Sequence, residues 1–225
     1  MNKPRVVLSW SSGKDSAWAL HLLRQQGEYE IVGLVTTINE SYDRVAMHAV
    51  RVSLLEHQAS AVGIPLWQVP IPYPCSNQQY ESAMRKLIQK AKDKKVTHFA
   101  FGDLFLEDIR TYRETQLSDT GISPLFPLWK IPTDHLAREM VRSGLRAFIT
   151  CIDPKQLDAS FAGRIFDDSF LDDLPASVDP CGERGEFHSF AFAGPMFKEP
   201  IHIVPGQIVE RDGFVFADLT SKDSE

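Results

Sequence analysis

The sequence predicts an α/β protein with a parallel sheet covered by helices on both faces, followed by a smaller α/β domain that ends in antiparallel strands. Apolar runs of buried-strand type alternate with helix-periodic segments through residues 6–102, which is the pattern of a parallel sheet. Prolines cluster between residues 124 and 132, and short strand-like runs occupy the C-terminal end. We therefore expect one domain over residues 1–125 and a second over residues 126–225.

The first domain shows strand and helix signals in alternation. Val52, Leu55, Ala59 and Val62, for example, recur at spacings of three and four, which marks one face of a helix. The expected strands cover residues 6–8, 31–36, 66–69 and 97–102, and the expected helices cover residues 17–23, 52–62 and 80–91. Ligands of such sheets bind beyond the carboxyl ends of the strands. Three groups of polar residues follow strands at such ends, namely residues 9–16, Thr36 with Thr37, and Gly102 with Asp103.

The second domain begins with a helix that Thr133 and Asp134 start and Gly144 ends, followed by a buried strand over residues 146–152. The acidic residues between positions 167 and 173 fit a solvated helix face better than a metal site. Further strands are expected over residues 186–193, 201–204, 207–210 and 214–219.

The composition indicates a globular protein in a reducing compartment. The 225 residues are 43% hydrophobic and 24% charged, with a formal charge of −6, which argues against a sequence-independent grip on nucleic acid. The three cysteines form no C-x-x-C pair or zinc spacing. No signal peptide and no membrane-length apolar run is visible. We expect a cytoplasmic protein without a membrane or nucleic-acid partner; its oligomeric state stays open, with a homodimer as one possibility.

The segment Ser9-Trp10-Ser11-Ser12-Gly13-Lys14-Asp15-Ser16 is typical of an anion-binding loop between a strand and a helix. Backbone N–H groups at such a helix start can hold phosphate, and Lys14 adds a positive charge. The segment is not a G-x-x-x-x-G-K-[ST] loop, because no glycine lies five residues before Gly13 and Asp15 follows Lys14. The alternative is a solvated turn in which Asp15 and Ser16 only cap the helix.

Two later segments combine charged residues with glycines. If the chain after Asp103 is helical, Arg110, Arg113 and Glu114 share one face that could hold a phosphate or a carboxylate; surface ion pairing is the alternative. In residues 179–190, a Gly-rich turn carries Cys181, Glu183, Glu186 and His188. It could present acid–base groups from a loop, or its charges could simply be solvated. A buried, inert Cys181 is commoner than a nucleophilic one.

Four motifs in one order resemble the diphthine–ammonia ligase family of PP-loop ATP pyrophosphatases, in particular its short prokaryotic branch. They are S-x-G-K-D-S, G-D followed by R-x-x-x-E, G-I-x-P-L-F-P-L-W, and C-G-E-x-G-E-F-H-S-F, and they span roughly residues 5–195. The resemblance implies a Rossmann-like sheet of the adenine nucleotide alpha hydrolase type that holds ATP, with a C-terminal part that completes the substrate site. It also implies an amide synthetase that adenylates the carboxyl of diphthine on elongation factor 2, after which ammonia displaces AMP.

The resemblance assigns roles to residues of this chain. The ATP contacts it implies are Ser9, Trp10, Ser11, Ser12, Gly13, Lys14, Asp15, Ser16, Thr36, Thr37, Gly102 and Asp103, with Asp15 on Mg²⁺. The substrate contacts are Arg110, Arg113, Glu114, Gly182 and Gly185, and the catalytic residues are Lys14, Asp15, Glu183, Glu186 and His188. The family usually has glycine at Ser12, and serine is compatible with this loop if its φ is negative.

One feature leaves the substrate open. The fourth motif, over residues 181–190 and called the late motif below, ends in F-H-S-F where the eukaryotic pattern has a Tyr-Glu-Thr type of ending. The carboxylate could therefore be small or protein-borne, with ammonia as the amine. If residue 186 already lies in the strand, Glu186 and His188 point to one face, where a histidine near its ordinary pKa of ~6.5 could deprotonate ammonium. The alternative functions are a tRNA-modifying PP-loop enzyme and a nucleotide sensor without chemistry.

Overall fold

A computed structural model describes residues 3–39, 44–45 and 50–221 of the chain. Ten strands and six α-helices are present in these residues. The strands are β1 (Arg5–Ser9), β2 (Glu30–Asn39), β3 (Arg44–Val45), β4 (Leu66–Ile71), β5 (His98–Ala100), β6 (Ser123–Leu125), β7 (Arg146–Ile152), β8 (Phe187–Ala193), β9 (Ile203–Arg211) and β10 (Phe214–Ser221). The helices are α1 (Lys14–Gln26), α2 (Val52–Val62), α3 (Asn77–Asp93), α4 (Glu107–Leu117), α5 (Thr133–Arg142) and α6 (Asp168–Asp173).

The first sheet confirms the predicted fold class. Its five parallel strands run in the order β4-β2-β1-β5-β6, and the short β3 pairs antiparallel with the end of β2. Strand β1 lies at the centre because Val6, Val7 and Leu8 are fully buried, so the loop after β1 opens at the middle of the sheet's carboxyl edge. This is where an open α/β sheet binds its ligands.

The second sheet is antiparallel, with the strand order β8-β7-β10-β9. Strand β8 touches the first sheet's loop directly, since the Ala191 N–H donates to the Ser12 carbonyl at 2.9 Å. One hydrophobic cluster joins the two sheets, and it extends from Leu8 and Trp18 to Phe187 and Leu219. The second sheet therefore forms one wall of the region beyond β1.

The structure differs from the sequence-based prediction at three strands, the first of which is the short β3, absent from the prediction. The prediction omitted β6, which contains Pro124; proline is tolerated there because β6 pairs only with β5, at the edge of the sheet. Residues 201–204 and 207–210 were predicted as separate strands, whereas β9 runs unbroken across Pro205 and Gly206 at the edge of the second sheet.

The acidic segment is a helix with exposed carboxylates, as predicted. Asp167 caps α6 by accepting from the Phe170 N–H at 2.9 Å. Arg138 and Arg164 form ion pairs with aspartates of α6, at 2.8 Å to Asp172 and 2.7 Å to Asp173. No helix within the described residues combines the length and the apolarity that a membrane span requires.

Candidate active site

The loop after β1 forms the start of α1 and lies directly against β8. Gly13 precedes the helix, and the Lys14 N–H donates to Ser189 Oγ at 3.3 Å. A β-carbon at Gly13 would lie 3.2 Å from the Ser189 carbonyl oxygen, which is closer than most side chains allow. The Ser16 hydroxyl donates to the Gly13 carbonyl at 3.0 Å, and Ser11 Oγ lies 3.2 Å from Ser16 Oγ. Glycine at position 13 thus lets the loop approach the second sheet.

Ser12 does not meet the condition under which serine would fit the loop without strain. Its φ is +71°, in the left-handed region, and not negative. The residue is fully buried, and its hydroxyl has no hydrogen-bond partner within the described residues. The Ser12 carbonyl accepts from the Ala191 N–H and from Gln58 Nε2, both at 2.9 Å. These bonds hold a conformation that costs a non-glycine residue about 1–2 kcal/mol.

We expect Ser12→Gly to be more stable than Ser12→Ala by about 1 kcal/mol. Both variants remove the unpartnered hydroxyl, so their difference reports the left-handed backbone conformation together with the greater entropy of glycine in the unfolded chain. Urea denaturation of the two variants beside the wild type measures the free energy of unfolding. An alanine variant as stable as the glycine variant would show that the left-handed conformation carries no strain.

Lys14 is buried beneath the loop and points toward the second sheet. Its Nζ contacts Asp15 Oδ1 and Oδ2 at 3.0 and 2.9 Å and donates to the Cys181 carbonyl. The same Nζ lies 5.5 Å from the ring centre of Phe166 and 5.3 Å from that of Phe187. Burial is the largest single effect and lowers the pKa of Lys14, but Asp15, Cys181 and Glu183 together outweigh it and the pKa is raised. Lys14 therefore stays a cation in the buried site.

Gln58 of α2 fixes the loop, and it is not among the site residues predicted from the sequence. Its Oε1 accepts from Trp10 Nε1 at 2.7 Å, while its Nε2 donates to the carbonyls of Ser12 and Ala191 at 2.9 and 2.7 Å. The side chain is fully buried, and it joins α2, the loop and β8. A sequence signal was present, because Gln58 interrupts the apolar face of α2 three residues after Leu55.

Two adjoining cavities open beyond the loop. The polar cleft, of ≈260 Å³, lies between the loop and the turn before β8. The aromatic pocket, of ≈340 Å³, is lined by apolar and aromatic side chains of the first sheet, α3 and α4. Of the predicted site residues, the polar cleft is lined by Ser9, Ser11, Gly13, Lys14, Asp15, Ser16, Gly102, Asp103, Arg113, Gly182, Glu183, Gly185 and His188. The aromatic pocket is lined by Ser9, Trp10, Ser11, Thr36, Thr37 and Arg113.

The structure separates the three polar residues predicted on one face of α4. Arg113 lines both cavities, whereas Arg110 and Glu114 line neither. Arg110 Nε donates to Glu114 Oε1 at 2.7 Å, and its guanidinium carbon lies 4.8 Å from the ring centre of Trp129. Residues 110 and 114 thus form a surface ion pair, which was the alternative interpretation.

Glu183 brings a carboxyl group with an unusually high pKa to the polar cleft. Its Oε1 accepts from the Leu104 N–H at 2.8 Å, which links the late motif to the segment after β5. Burial raises the Glu183 pKa to about 7, helped by the neighbouring Asp15 and opposed by the Leu104 N–H. Burial, opposed by Arg113 and aided by Asp15, also raises the pKa of Asp103. Glu183 can therefore change its protonation state near neutral pH.

Glu186 points into its own turn instead of the cleft. Its Oε1 and Oε2 accept from the backbone N–H groups of Asp179 and Arg184, both at 2.9 Å, and the residue is buried. Because β8 begins at Phe187, the alternation of side chains along the strand does not reach residue 186. The expectation that Glu186 and His188 present their side chains together is wrong. Gly182 supports the same turn with a φ of +70°, where a β-carbon would lie 2.9 Å from the Phe187 carbonyl oxygen.

His188 lines the polar cleft but is a weak base. Burial and the nearby Lys14 cation lower its pKa to about 4. The expectation of a pKa near 6.5 is therefore wrong, and the imidazole is neutral at physiological pH. A neutral imidazole can orient a ligand through hydrogen bonds, whereas the proton-accepting role fits Glu183 better.

Cys181 contributes its backbone to the site and keeps its thiol protonated. Its carbonyl accepts from Lys14 Nζ, and its Sγ lies 3.5 Å from the Thr133 carbonyl oxygen. Burial raises the pKa of the thiol well above its ordinary value, against the opposing effect of Lys14. A buried protonated thiol is a poor nucleophile, which supports the inert interpretation of Cys181.

The carboxylates of the cleft fit a metal ion that is held jointly with a phosphate ligand. Across residues 3–39, 44–45 and 50–221, no three His, Cys, Asp or Glu side chains converge to hold a metal by themselves. Asp15 nevertheless raises the pKa values of Asp103 and Glu183, and Asp103 raises that of Glu183, so the negative charges of the cleft are incompletely compensated. Mg²⁺ in phosphate-binding sites commonly uses one or two carboxylates together with phosphate oxygens.

The family models of two domains match nearly the whole chain. The model of the diphthamide synthase N-terminal domain matches residues 4–124, and that of the C-terminal domain matches residues 132–219. The chain belongs to the diphthamide synthase family. This confirms the resemblance drawn from the motifs, and the two matched segments contain the loop after β1 and the turn before β8, respectively.

Individual proteins named diphthine–ammonia ligase are similar to this chain over 96% of its length. The diphthine–ammonia ligase of Bos taurus is 24% identical over 96% of this chain and 88% of its own length. The enzyme of Homo sapiens is 25% identical with the same coverage. That of Danio rerio is 25% identical over 96% of this chain and 92% of its own length. The similarity is thus global, at low identity.

Proposed function

We propose that this protein is an ATP-dependent ligase that adenylates a carboxylate, releases pyrophosphate and joins the acyl group to ammonia. One observation carries the proposal. A buried lysine at a helix start and a glutamate in the turn before β8 line a single polar cleft, which adjoins an aromatic pocket. The first group suits the phosphates, the second suits proton transfer, and the pocket suits a nucleoside.

ATP fits the two cavities as a bipartite ligand. The aromatic pocket offers the base the rings of Tyr80, Phe99 and Tyr112 and the hydroxyl-bearing Thr37. The Thr36 hydroxyl instead donates to the Trp10 carbonyl at 2.6 Å, so Thr36 supports the loop. The terminal phosphates lie at the start of α1, where Lys14 and the backbone N–H groups supply positive charge.

Asp15 would hold Mg²⁺ together with the phosphates, with Asp103 beside it. A Mg²⁺ ion bound there would neutralise charge that develops on the pyrophosphate leaving group. Lys14 acts in the same direction, because its ammonium group is fixed by the Cys181 carbonyl and needs no reorganisation on binding. Asp15 also keeps Lys14 protonated, so one residue serves both the lysine and the metal.

Glu183 accepts a proton from the attacking nitrogen when the C–N bond of the amide forms. A pKa of about 7 gives it a substantial ionised fraction and useful basicity at neutral pH. His188 orients the reacting groups as a neutral imidazole. Glu186 acts indirectly, because it holds the turn that positions Glu183, Gly182 and Gly185.

The acceptor is a carboxylate that is either a small molecule or borne by a protein, and ammonia is the amine. Diphthine is the first acceptor to test, since the similar proteins are named diphthine–ammonia ligases. We assign nucleotide binding to residues 1–125 and completion of the substrate site to residues 126–225. The loop after β1 lies in the first of these segments, and the late motif lies in the second.

Analysis of the nucleotide products tests the proposed function. With Mg²⁺, ATP, ammonium and a diphthine-bearing acceptor, phosphorus NMR should show AMP and pyrophosphate in equal amounts. The same mixture without acceptor gives the background hydrolysis. ADP with inorganic phosphate would instead indicate attack at the γ-phosphate and contradict the proposal. ATP binding without any turnover would favour the alternative function of a nucleotide sensor without chemistry.

A further inference from the structure

The two cavities meet at a junction of four residues. Ser9, Ser11, Phe101 and Arg113 each line both the polar cleft and the aromatic pocket. A ligand that places a base in the pocket and its terminal phosphates at Lys14 must pass this junction. In ATP, the part between the ribose and the terminal phosphates is the α-phosphate. The four residues of the junction therefore surround the place where that group would lie.

Arg113 is the one formal cation at the junction. Its guanidinium carbon lies 4.9 Å from the ring centre of Phe101, and its side chain is 32% exposed. Its Nε lies 3.5 Å from Asp103 Oδ2, but the pair lacks hydrogen-bond geometry. Both atoms are buried, and neither has a hydrogen-bond partner in the part of the chain that the structure describes. The guanidinium is held in place while part of its donor capacity stays unused.

We propose that Arg113 is the α-phosphate ligand of this protein and a catalytic residue of its adenylation step. The inference rests on the proposed function and adds to it the group that acts at the reacting phosphorus. An acceptor carboxylate oxygen forms a bond to the α-phosphorus, and the bond from this phosphorus to the α,β-bridging oxygen breaks. The electron pair of that bond leaves with pyrophosphate. Arg113 stabilises the negative charge on the non-bridging α-oxygens.

The separate positions of Lys14 and Arg113 fit separate roles, one at the pyrophosphate leaving group and one at the α-phosphate. Lys14 is hydrogen-bonded to Asp15 and the Cys181 carbonyl on the cleft side of the loop, where negative charge develops on the leaving pyrophosphate. Arg113 stands at the junction, on the nucleoside side. A guanidinium presents several donors in one plane and can bind two phosphate oxygens at once.

Separate titrations with adenosine, AMP and pyrophosphate test the proposal without an acceptor. For Arg113→Ala, we expect AMP to bind about tenfold more weakly, whereas adenosine and pyrophosphate bind within about twofold of the wild type. Arg110→Ala is the matched control, because Arg110 lies on the same helix and lines neither cavity; it should leave all three affinities unchanged. Arg113→Lys keeps the charge and should recover part of the AMP affinity.

Three results would overturn the assignment. Unchanged AMP binding by Arg113→Ala would remove Arg113 from the phosphate site. An equal loss for all three ligands, with the thermal unfolding transition lowered, would make Arg113 a structural residue. A wild-type protein that binds neither adenosine nor pyrophosphate would contradict the proposed function itself, and the role of Arg113 with it. Selective loss of AMP affinity supports both.

Discussion

Lys14→Met is expected to reduce AMP formation by at least about a thousandfold and ATP affinity by about ten- to a hundredfold. The ammonium group of Lys14 is the fixed cation of the loop after β1, and the methionine that replaces it carries no charge. Methionine keeps an apolar stem against Phe166 and Phe187, so packing is largely retained. Isothermal titration with a non-hydrolysable ATP analogue and an AMP-release assay separate the two effects.

The exposed Lys155 provides the control for this substitution, since Lys155→Met changes the net charge equally and should retain activity. Circular dichroism of both variants should show that they are folded. If Lys14→Met binds the analogue as tightly as the wild type does, the terminal phosphates do not lie at the start of α1. The assignment of the polar cleft would then be wrong.

Glu183→Gln should lower the rate of amide formation by about a hundred- to ten-thousandfold while ATP affinity changes little. In the wild type, activity at a constant concentration of free ammonia should rise with pH through about 7, because Glu183 accepts a proton only when it is ionised. The variant should lose this limb of the profile. Glu199→Gln, at an exposed position, is the control. An unchanged pH profile in Glu183→Gln would assign the proton transfer to another group.

The same substitution should affect stability in a direction that the pKa fixes. The Glu183 pKa is about 7 in the folded protein against an ordinary 4.5, so the folded state binds more protons between these values. Its contribution to stability is therefore present below pH 4.5 and is lost as the pH rises through about 7. Glutamine does not ionise, and we expect Glu183→Gln to exceed the wild type by about 1–2 kcal/mol at pH 8, after allowance for solvent screening. At pH 4.5 the two should be equally stable.

The strand–helix order and the position of the loop were predictable because both depend on local sequence. Apolar runs and helical spacing determine which segments become buried, and a small-residue turn before α1 follows from the chain order. Strand β6 was not predictable in this way. Pro124 argues against a strand in general, and only the observed place at the sheet edge makes it acceptable.

The electrostatic state of the site was not predictable, because it depends on residues far apart in the chain. His188 was given an ordinary pKa, yet burial and Lys14, 174 positions earlier in the numbering, lower it to about 4. The spacing of Arg110, Arg113 and Glu114 gave a common helix face but not the position of the cavities. Glu186 was placed by strand alternation, whereas backbone N–H groups within the turn take up both of its oxygens.

The fate of oxygen from a labelled acceptor carboxylate tests the central claim, adenylation at the α-phosphate, most directly. The acceptor is prepared with ¹⁸O in both carboxylate oxygens and incubated with the protein, ATP, Mg²⁺ and ammonium. Mass spectrometry should find one ¹⁸O atom in each AMP released and one in the amide product, with none in pyrophosphate. Label in inorganic phosphate, or AMP without label while the amide forms, would contradict adenylation of the carboxylate.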